Sequence, residues 1–416
     1  MTHTERLLPE GFDFTDPALI AQRIPHEEFA LLRKTEPIWW NTQPLGASGY
    51  PDEGYWVVTK HADVKEVSLH DEVFSSHENT SLIRTNTTSN PDVHEASREN
   101  VMLFLDGPKH AKLRRIVSRG FTPRVVAGMR ESLDRRAREI VAAAVEHNTG
   151  DFVTEVATQL PLTTICELIG VPADERQMVF DWSNRLVGGG TGEPAAVADG
   201  MQASAELLGY AYQLAEDRKS KPREDIATAL VTASIDGEAL TALEFGYYVM
   251  MLMVAGNETT RNATSHGMLA FIDHPEQWQR YVADRPPTMA DEVVRWATPV
   301  ISFQRTAMRD TQLGGVAIAK GDRVGMFYGS ANYDDAVFDD PFTFDILRSP
   351  NPHLGFGAPG AHYCIGANLA RMQINLVFGA LADITPDIRR LAEATRSVLP
   401  WINGIDAMPV EFGATP

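Results

Sequence analysis

His353-Leu354-Gly355-Phe356-Gly357-Ala358-Pro359-Gly360-Ala361-His362-Tyr363-Cys364-Ile365-Gly366 sets a lone cysteine directly ahead of a helical pattern that begins Ala367-Asn368-Leu369-Ala370-Arg371. Gly355, Gly357 and Gly360 allow backbone turns that other residues avoid, and they let the chain approach a flat ligand closely. A cysteine just before a helix meets the positive end of the helix dipole and its free N–H groups, which favours the thiolate. Such a thiolate is a ligand for haem iron, where it pushes electron density onto the metal.

Three plainer readings compete. A phosphate loop is weak, because Pro359 offers no N–H and no Lys-Ser/Thr pair follows. A zinc site would have only His362 and Cys364, with no second pair nearby. A buried structural cysteine is the ordinary fate of an isolated thiol, and that is the reading for Cys166 within Leu162-Thr163-Thr164-Ile165-Cys166. For Cys364 the surrounding glycines argue against it.

The rest of the chain sets the frame. With 416 residues, 44% hydrophobic and 22% charged, it is globular rather than disordered or fibrous. Thirty-seven Lys and Arg stand against 56 Asp and Glu, a net charge of −19, which disfavours nucleic acid and anionic membrane as partners. Two cysteines cannot staple so long a chain, so a reducing, cytoplasmic setting is expected. The N-terminus lacks a signal-peptide pattern, and the longest apolar stretch, Phe245 to Gly256, is short of the ~20 residues that cross a bilayer. No membrane anchor is expected.

Residues 1 to 80 mix short helical pieces with a strand at Tyr55-Trp56-Val57-Val58-Thr59, and Asn79 to Asn100 reads as a mobile polar loop. Residues 108 to 282 are expected to be mainly helical, broken near Gly188 to Pro194. Strands return at 311 to 329, a last helix fits Gly366 to Ile384, and the tail from Leu399 reads as loop and strand. The expectation is a mainly α protein forming one domain over 1–416, with a β-rich part at about 1–80 and a helical part at about 81–416 carrying β insertions.

Three further constellations carry charge. Glu292 and Arg295 are three apart, a spacing that taken alone makes a surface ion pair. His110 and Arg114, four apart, read alone as a solvated basic face. Val254-Ala255-Gly256-Asn257-Glu258-Thr259-Thr260 ends the apolar run from Phe245, so run and motif form one long, largely buried helix. Glu258 is then either a helix reaching solvent or a buried acid beside a hydroxyl, costly without a purpose.

Together these segments resemble the cytochrome P450 superfamily. The Cys364 loop resembles its haem-binding signature, with one residue more between Phe356 and Cys364 than most members carry. That length is similar to actinobacterial enzymes acting on sterols and methyl-branched lipids. Pro9 to Pro17, Ile38 to Asn41, Arg119 to Pro123, Arg295 to Val300 and Trp401 to Ile405 resemble one family, the bacterial steroid C26/C27-monooxygenases.

The resemblance implies the cytochrome P450 fold around haem b. Cys364 would be the axial iron ligand, with Phe356, Gly366, Ala255 and Gly256 at the cofactor. His110, Arg114, Arg305 and His362 would hold the propionates. Glu258 and Thr259 would deliver protons during oxygen activation, with Gly256 allowing the helix to loosen. Glu292, Arg295 and Arg348 would form a buried structural network, and Val254, Phe303 and Trp401 would line the substrate pocket. Arg185 to Ala195, whose composition departs from the family pattern, would lie in the roof of that pocket.

The implied reaction is hydroxylation of the terminal side-chain methyl (C26/C27) of cholesterol or cholest-4-en-3-one with O2, often onward to the acid. Electrons would come from ferredoxin, ferredoxin reductase and NAD(P)H, since the chain holds no flavin or iron–sulfur motif. Lys109, Lys112, Arg115, Arg119 and Arg124 would face the ferredoxin. The alternatives are an omega-hydroxylase of methyl-branched fatty acids or terpenoids and, in another class, a non-catalytic haem-thiolate sensor.

Overall fold

A 32-residue helix, Ala242–Asp273, is the element on which the protein is organised. The computed structural model describes residues 7–85, 91–189, 194–232, 234–235 and 238–413. The long helix starts with a reciprocal cap: Thr241 Oγ1 accepts from Glu244 N–H at 3.1 Å, and the Glu244 carboxylate accepts from Thr241 N–H at 2.8 Å. It is buried over most of its length because helices pack around it: Pro194–Ser220, Gln159–Ile169, Met289–Ala297 and Ala367–Ile384.

The β part is a five-stranded sheet in the order Ile38–Thr42, Gly54–Val58, Arg323–Phe327, Ser302–Ala307, Phe74–Ser75. The pairing of Gly54–Val58 with Arg323–Phe327 is parallel, with Val324 opposite Trp56, and the other three are antiparallel. Strands from the first 80 residues therefore complete a sheet whose centre comes from residues 302–327. The β-rich N-terminal part is shared with the later chain rather than separate from it.

The cysteine loop bridges the two halves. Leu354 and Ala358 are buried among Val58, Val324 and Met326 of the sheet. Leu369, Ile374 and Phe378, on the helix that follows, belong to the helical core. Two glycines shape the turn between them. Gly357 has φ +82°, and a Cβ on Gly360 (φ +145°) would stand 2.4 Å from the Ser68 carbonyl oxygen.

Glu292 and Arg295 do not form a surface pair. Both side chains are 0% exposed, joined by two 2.8 Å hydrogen bonds, and Arg348 Nε approaches Glu292 at 3.3 Å. Asp345 N–H (2.9 Å) and Asn351 (3.1 Å) also donate to this carboxylate, so its lone pairs are used within the fold. The cluster pins the segment ahead of the cysteine loop.

The structure departs from expectation in three places. Pro91–Asn100 is a helix packed on the long helix, where polar composition had suggested loop. Thr80, Ser81 and Ile83 are buried, and carbonyls of this stretch accept from Gln304 N–H and Arg323. Tertiary partners, not local propensity, order the segment; residues 86–90 lie outside the described residues. Ile38–Thr42 and Ser302–Ala307 are strands that local pattern did not mark. The break near Gly188 falls between helices Arg176–Gly188 and Pro194–Ser220, with 190–193 of the expected pocket roof outside the described residues.

Candidate active site

The long helix and the cysteine loop wall a cavity of about 490 Å³. Ala255 is exposed in the middle of an otherwise buried helix, and its exposure is to this void. Gly256, Glu258 and Thr259 border it from the same helix, and Phe356, Cys364 and Gly366 from the loop. Val254, Phe303 and Trp401 complete an apolar wall, the last two rings stacked at 6.3 Å and 25°. Trp401 is brought there by a backbone bond from Ile301 N–H to its carbonyl at 2.8 Å.

Cys364 opens its sulfur into this cavity while protein encloses it, and burial pushes the thiol up. The Gly366 N–H, Arg114 and Arg371 pull the other way without prevailing. The N–H at the helix start thus favours the thiolate while burial opposes it. Cys166 is buried in the helical core with its thiol pushed up to about 12 by burial, as its structural reading requires.

Four basic side chains border the same void: His110, Arg114, Arg305 and His362. The His110 and His362 rings stack 4.1 Å apart, and burial lowers His110 to about 4. His110 Nε2 is buried with no hydrogen-bond partner among the described residues. Arg114 donates to the Tyr363 carbonyl, and Arg305 to the Gln304 carbonyl at 2.7 Å. One sulfur ligand, an apolar void and four cationic or protonatable groups, one with an unpartnered ring nitrogen, fit haem, a flat apolar macrocycle with two carboxylates. No cluster among the described residues offers three or more ligands to a bare metal ion.

Glu258 is buried, which excludes a helix merely reaching solvent. Its carboxylate takes Arg261 and Asn262, the latter at 2.8 Å, rather than Thr259. The Thr259 hydroxyl donates to the Ala255 carbonyl at 2.7 Å, which leaves its oxygen able to accept. The helix is continuous through Gly256.

Several polar residues at the site were not singled out from sequence. Asp106 stands ahead of the helix Gly107–Ser118 but does not cap it. Its carboxylate accepts from Ser75, Ser76 N–H (3.0 Å) and His77 N–H (3.1 Å), and lies 3.9 Å from His362. Burial acts to raise it, but these bonds hold it well below the usual carboxylate range. Asp291 accepts from Arg371 (2.7 Å) and pairs with His353 (3.0 Å), and the Arg371 guanidinium lies 4.5 Å from the Phe356 ring centroid. Arg261 and Asn262 were legible at i+3 and i+4 from Glu258; the Asp106 and Asp291 partners are distant in sequence and carried no local signal.

On the outer face, Arg115, Arg119 and Arg124 are exposed, whereas Lys109 is drawn to Glu99. No helix among the described residues is long and apolar enough to cross a membrane.

The family model described as Cytochrome P450 matches residues 288–381, the segment holding Glu292, Arg295 and Cys364. A steroid C26-monooxygenase of Rhodococcus jostii (strain RHA1) is 55% identical over 97% of this chain and 85% of its own. A methyl-branched lipid omega-hydroxylase of Mycobacterium tuberculosis (strain ATCC 25618 / H37Rv) is 42% identical over 92% and 90%. Among solved structures, a Mycobacterium marinum cytochrome P450 in complex with pseudoionone aligns with TM-score 0.90 and 35% identity, covering 98% of this chain and 100% of that one.

Proposed function

This chain belongs to the cytochrome P450 family, and from that premise we propose that it is a steroid monooxygenase hydroxylating the terminal methyl of a sterol side chain. The observation that carries the substrate class is the 55% identity, over nearly the whole chain, to a steroid C26-monooxygenase, against 42% to the lipid omega-hydroxylase. The apolar cavity walled by Val254, Phe303 and Trp401 suits a large hydrocarbon with few polar anchors.

Haem b, bound through Cys364, supplies the activation of O2 from which one oxygen atom is inserted into the C–H bond. Arg114 and Arg305 would balance the charge of its carboxylates, His110 and His362 would hydrogen-bond to them, and Asp106 orients His362. Phe303 and Trp401 exclude water and hold the hydrocarbon side chain. Thr259 accepts and relays a proton, and Glu258 is the acid that supplies it. Glu292, Arg295 and Arg348 fix the segment that presents Cys364. The two electrons come from a reduced ferredoxin, itself served by a ferredoxin reductase and NAD(P)H; the exposed Arg115, Arg119 and Arg124 attract its acidic face. The enzyme works in the cytoplasm as one domain.

The test is the absorption spectrum of the purified protein, reduced under CO and, separately, oxidised and titrated with cholest-4-en-3-one. A strongly red-shifted CO complex lost in Cys364→Ala, together with a sterol-induced shift from low to high spin, is the expected result. A CO complex with no response to sterol, but a response to phytanic acid, moves the substrate to branched lipids. Binding spectra without any oxidised product in a reconstituted ferredoxin system would indicate a sensor.

A further inference from the structure

The helices Arg176–Gly188 and Pro194–Ser220 pack on each other and meet backbone to backbone at two glycines. A Cβ on Gly200 would stand 3.0 Å from Gly189 Cα and 3.1 Å from the Arg185 carbonyl oxygen, and one on Gly189 would stand 3.3 Å from Gly200 Cα. That carbonyl belongs to the peptide that joins Arg185 to Leu186. Leu186 and Val187, which follow it, border the cavity. Arg185 reinforces the contact, donating to Asp199 at 2.9 Å and to Glu206 at 2.8 Å. These ion pairs are partly exposed and each is worth little, so the backbone contact is the hard stop between the two helices.

The helix Pro194–Ser220 is seated in turn on the long helix. The Ser204 hydroxyl donates to Met250 Sδ at 3.4 Å, and a Cβ on Gly246 would stand 2.9 Å from Leu208 Cδ2. Met250 and Gly246 precede Ala255 by five and nine residues, about 8 and 14 Å along the helix axis. A sterol with its terminal methyl beside Ala255 and Cys364 carries its rings toward this end of the cavity.

We infer that Gly200 sets the height of the cavity roof for a rigid, fused-ring ligand: by letting the two helices touch through bare backbone, it seats Leu186 and Val187 against the sterol rings. The inference deepens the steroid reading and rests on it. Gly200 is a positioning residue that acts through Leu186 and Val187.

A side chain on Gly200 meets only backbone, which cannot rotate out of its way, so relief comes from parting the helices. The Arg185–Leu186 peptide then moves, and Leu186 and Val187 move with it. Fused rings cannot bend to follow a wall that shifts. A gap of about 0.5–1 Å already forfeits a quarter to a half of the dispersion energy at a contact. Gly209, on the same helix, has nothing within 4 Å of the place a Cβ would take, so a methyl group there leaves the roof where it is.

The experiment compares wild type, Gly200→Ala, Gly200→Leu, Gly209→Ala, Leu186→Ala/Val187→Ala and that pair combined with Gly200→Ala, all as holoenzymes. It records the absorption shift on titration with cholest-4-en-3-one, the binding of imidazole to the ferric iron, the CO complex and the denaturation midpoint. Gly200→Ala is expected to weaken sterol binding about threefold and Gly200→Leu about tenfold. Imidazole should bind as in wild type, because so small a ligand reaches the iron without touching the roof. Gly209→Ala should bind sterol as wild type does. In the Leu186→Ala/Val187→Ala background Gly200→Ala should add little to the loss, since the side chains it acts through are gone. Where Gly200→Leu does not fold, the alanine variants decide the outcome. Unchanged sterol binding in the Gly200 variants would show that the contact does not set the roof. An equal loss in the double-alanine background, for imidazole, or from Gly209→Ala would make the effect a general one of the fold and overturn the inference. A wild type that forms the CO complex yet shows no shift with sterol removes the steroid reading itself, and the inference with it.

Discussion

A Cβ on Gly256 would stand 2.3 Å from Cδ1 and 2.5 Å from Cγ1 of Ile165, so the long helix and the helix Gln159–Ile169 touch where a side chain has no room. Ile165 also borders the cavity, so the contact ties core packing to the shape of the site.

Gly256→Ala gains about 1 kcal/mol of helix propensity and loses about 1–3 kcal/mol to overpacking, for a net destabilisation. Ile165 can yield only by shifting, and a shift into the void would weaken sterol binding. The double variant Gly256→Ala/Ile165→Ala should recover binding without recovering full stability. Denaturation midpoints and sterol titrations of the three variants check this; equal binding by wild type and Gly256→Ala would remove the link.

The Phe303–Trp401 stack forms part of the apolar wall. Trp401→Ala removes a large aromatic surface from it and is expected to weaken sterol binding about tenfold. Val254→Ala removes far less and should cost a fraction of that. Spectral titration of each variant measures both.

Removing one partner of the buried Glu292–Arg295 pair leaves a charge with too little compensation. Arg295→Met is expected to destabilise the protein by about 3–5 kcal/mol. Arg295→Lys should also fail, because a single ammonium cannot reproduce the two-pronged contact on Glu292. The double variant Glu292→Gln/Arg295→Met should regain part of the loss. Yields of folded protein and denaturant midpoints give the order.

Burial lowers His266 to about 3 from an ordinary value of 6.5, with its Nε2 3.1 Å from the Asn403 carbonyl. The unfolded chain therefore binds a proton at this position below pH 6.5 while the folded protein does not until about pH 3. Its contribution is complete above pH 6.5 and is lost as pH falls through that window, by at most about 1.4 kcal/mol per pH unit. His26, lowered to about 4 by burial and by Arg33, acts with the same sign. Stability measured from pH 7 down to 4 should fall, and His266→Gln should flatten the slope.

The amino-acid sequence by itself determined the elements whose requirements are local. Glycines around Cys364 encode a turn that only their backbone freedom allows, and the apolar run ahead of Gly256 encodes a helix that must be covered. The spacings Glu292-x-x-Arg295 and His110-x-x-x-Arg114 place charges on one helix face, and the order of these motifs carries the family. Tertiary structure alone decided where those charges point and what they meet. It buried Glu292 and Arg295 beneath Arg348, turned Glu258 to Arg261 and Asn262, and brought Asp106 to His362. It also placed Asp291 between His353 and Arg371, ordered Pro91–Asn100 against the long helix, and raised the Cys364 thiol. The physical reason is common to all of them. A backbone turn or a helix face depends on near neighbours, whereas the partner of a polar side chain, and the cost of its charge, depend on what distant segments exclude from water around it.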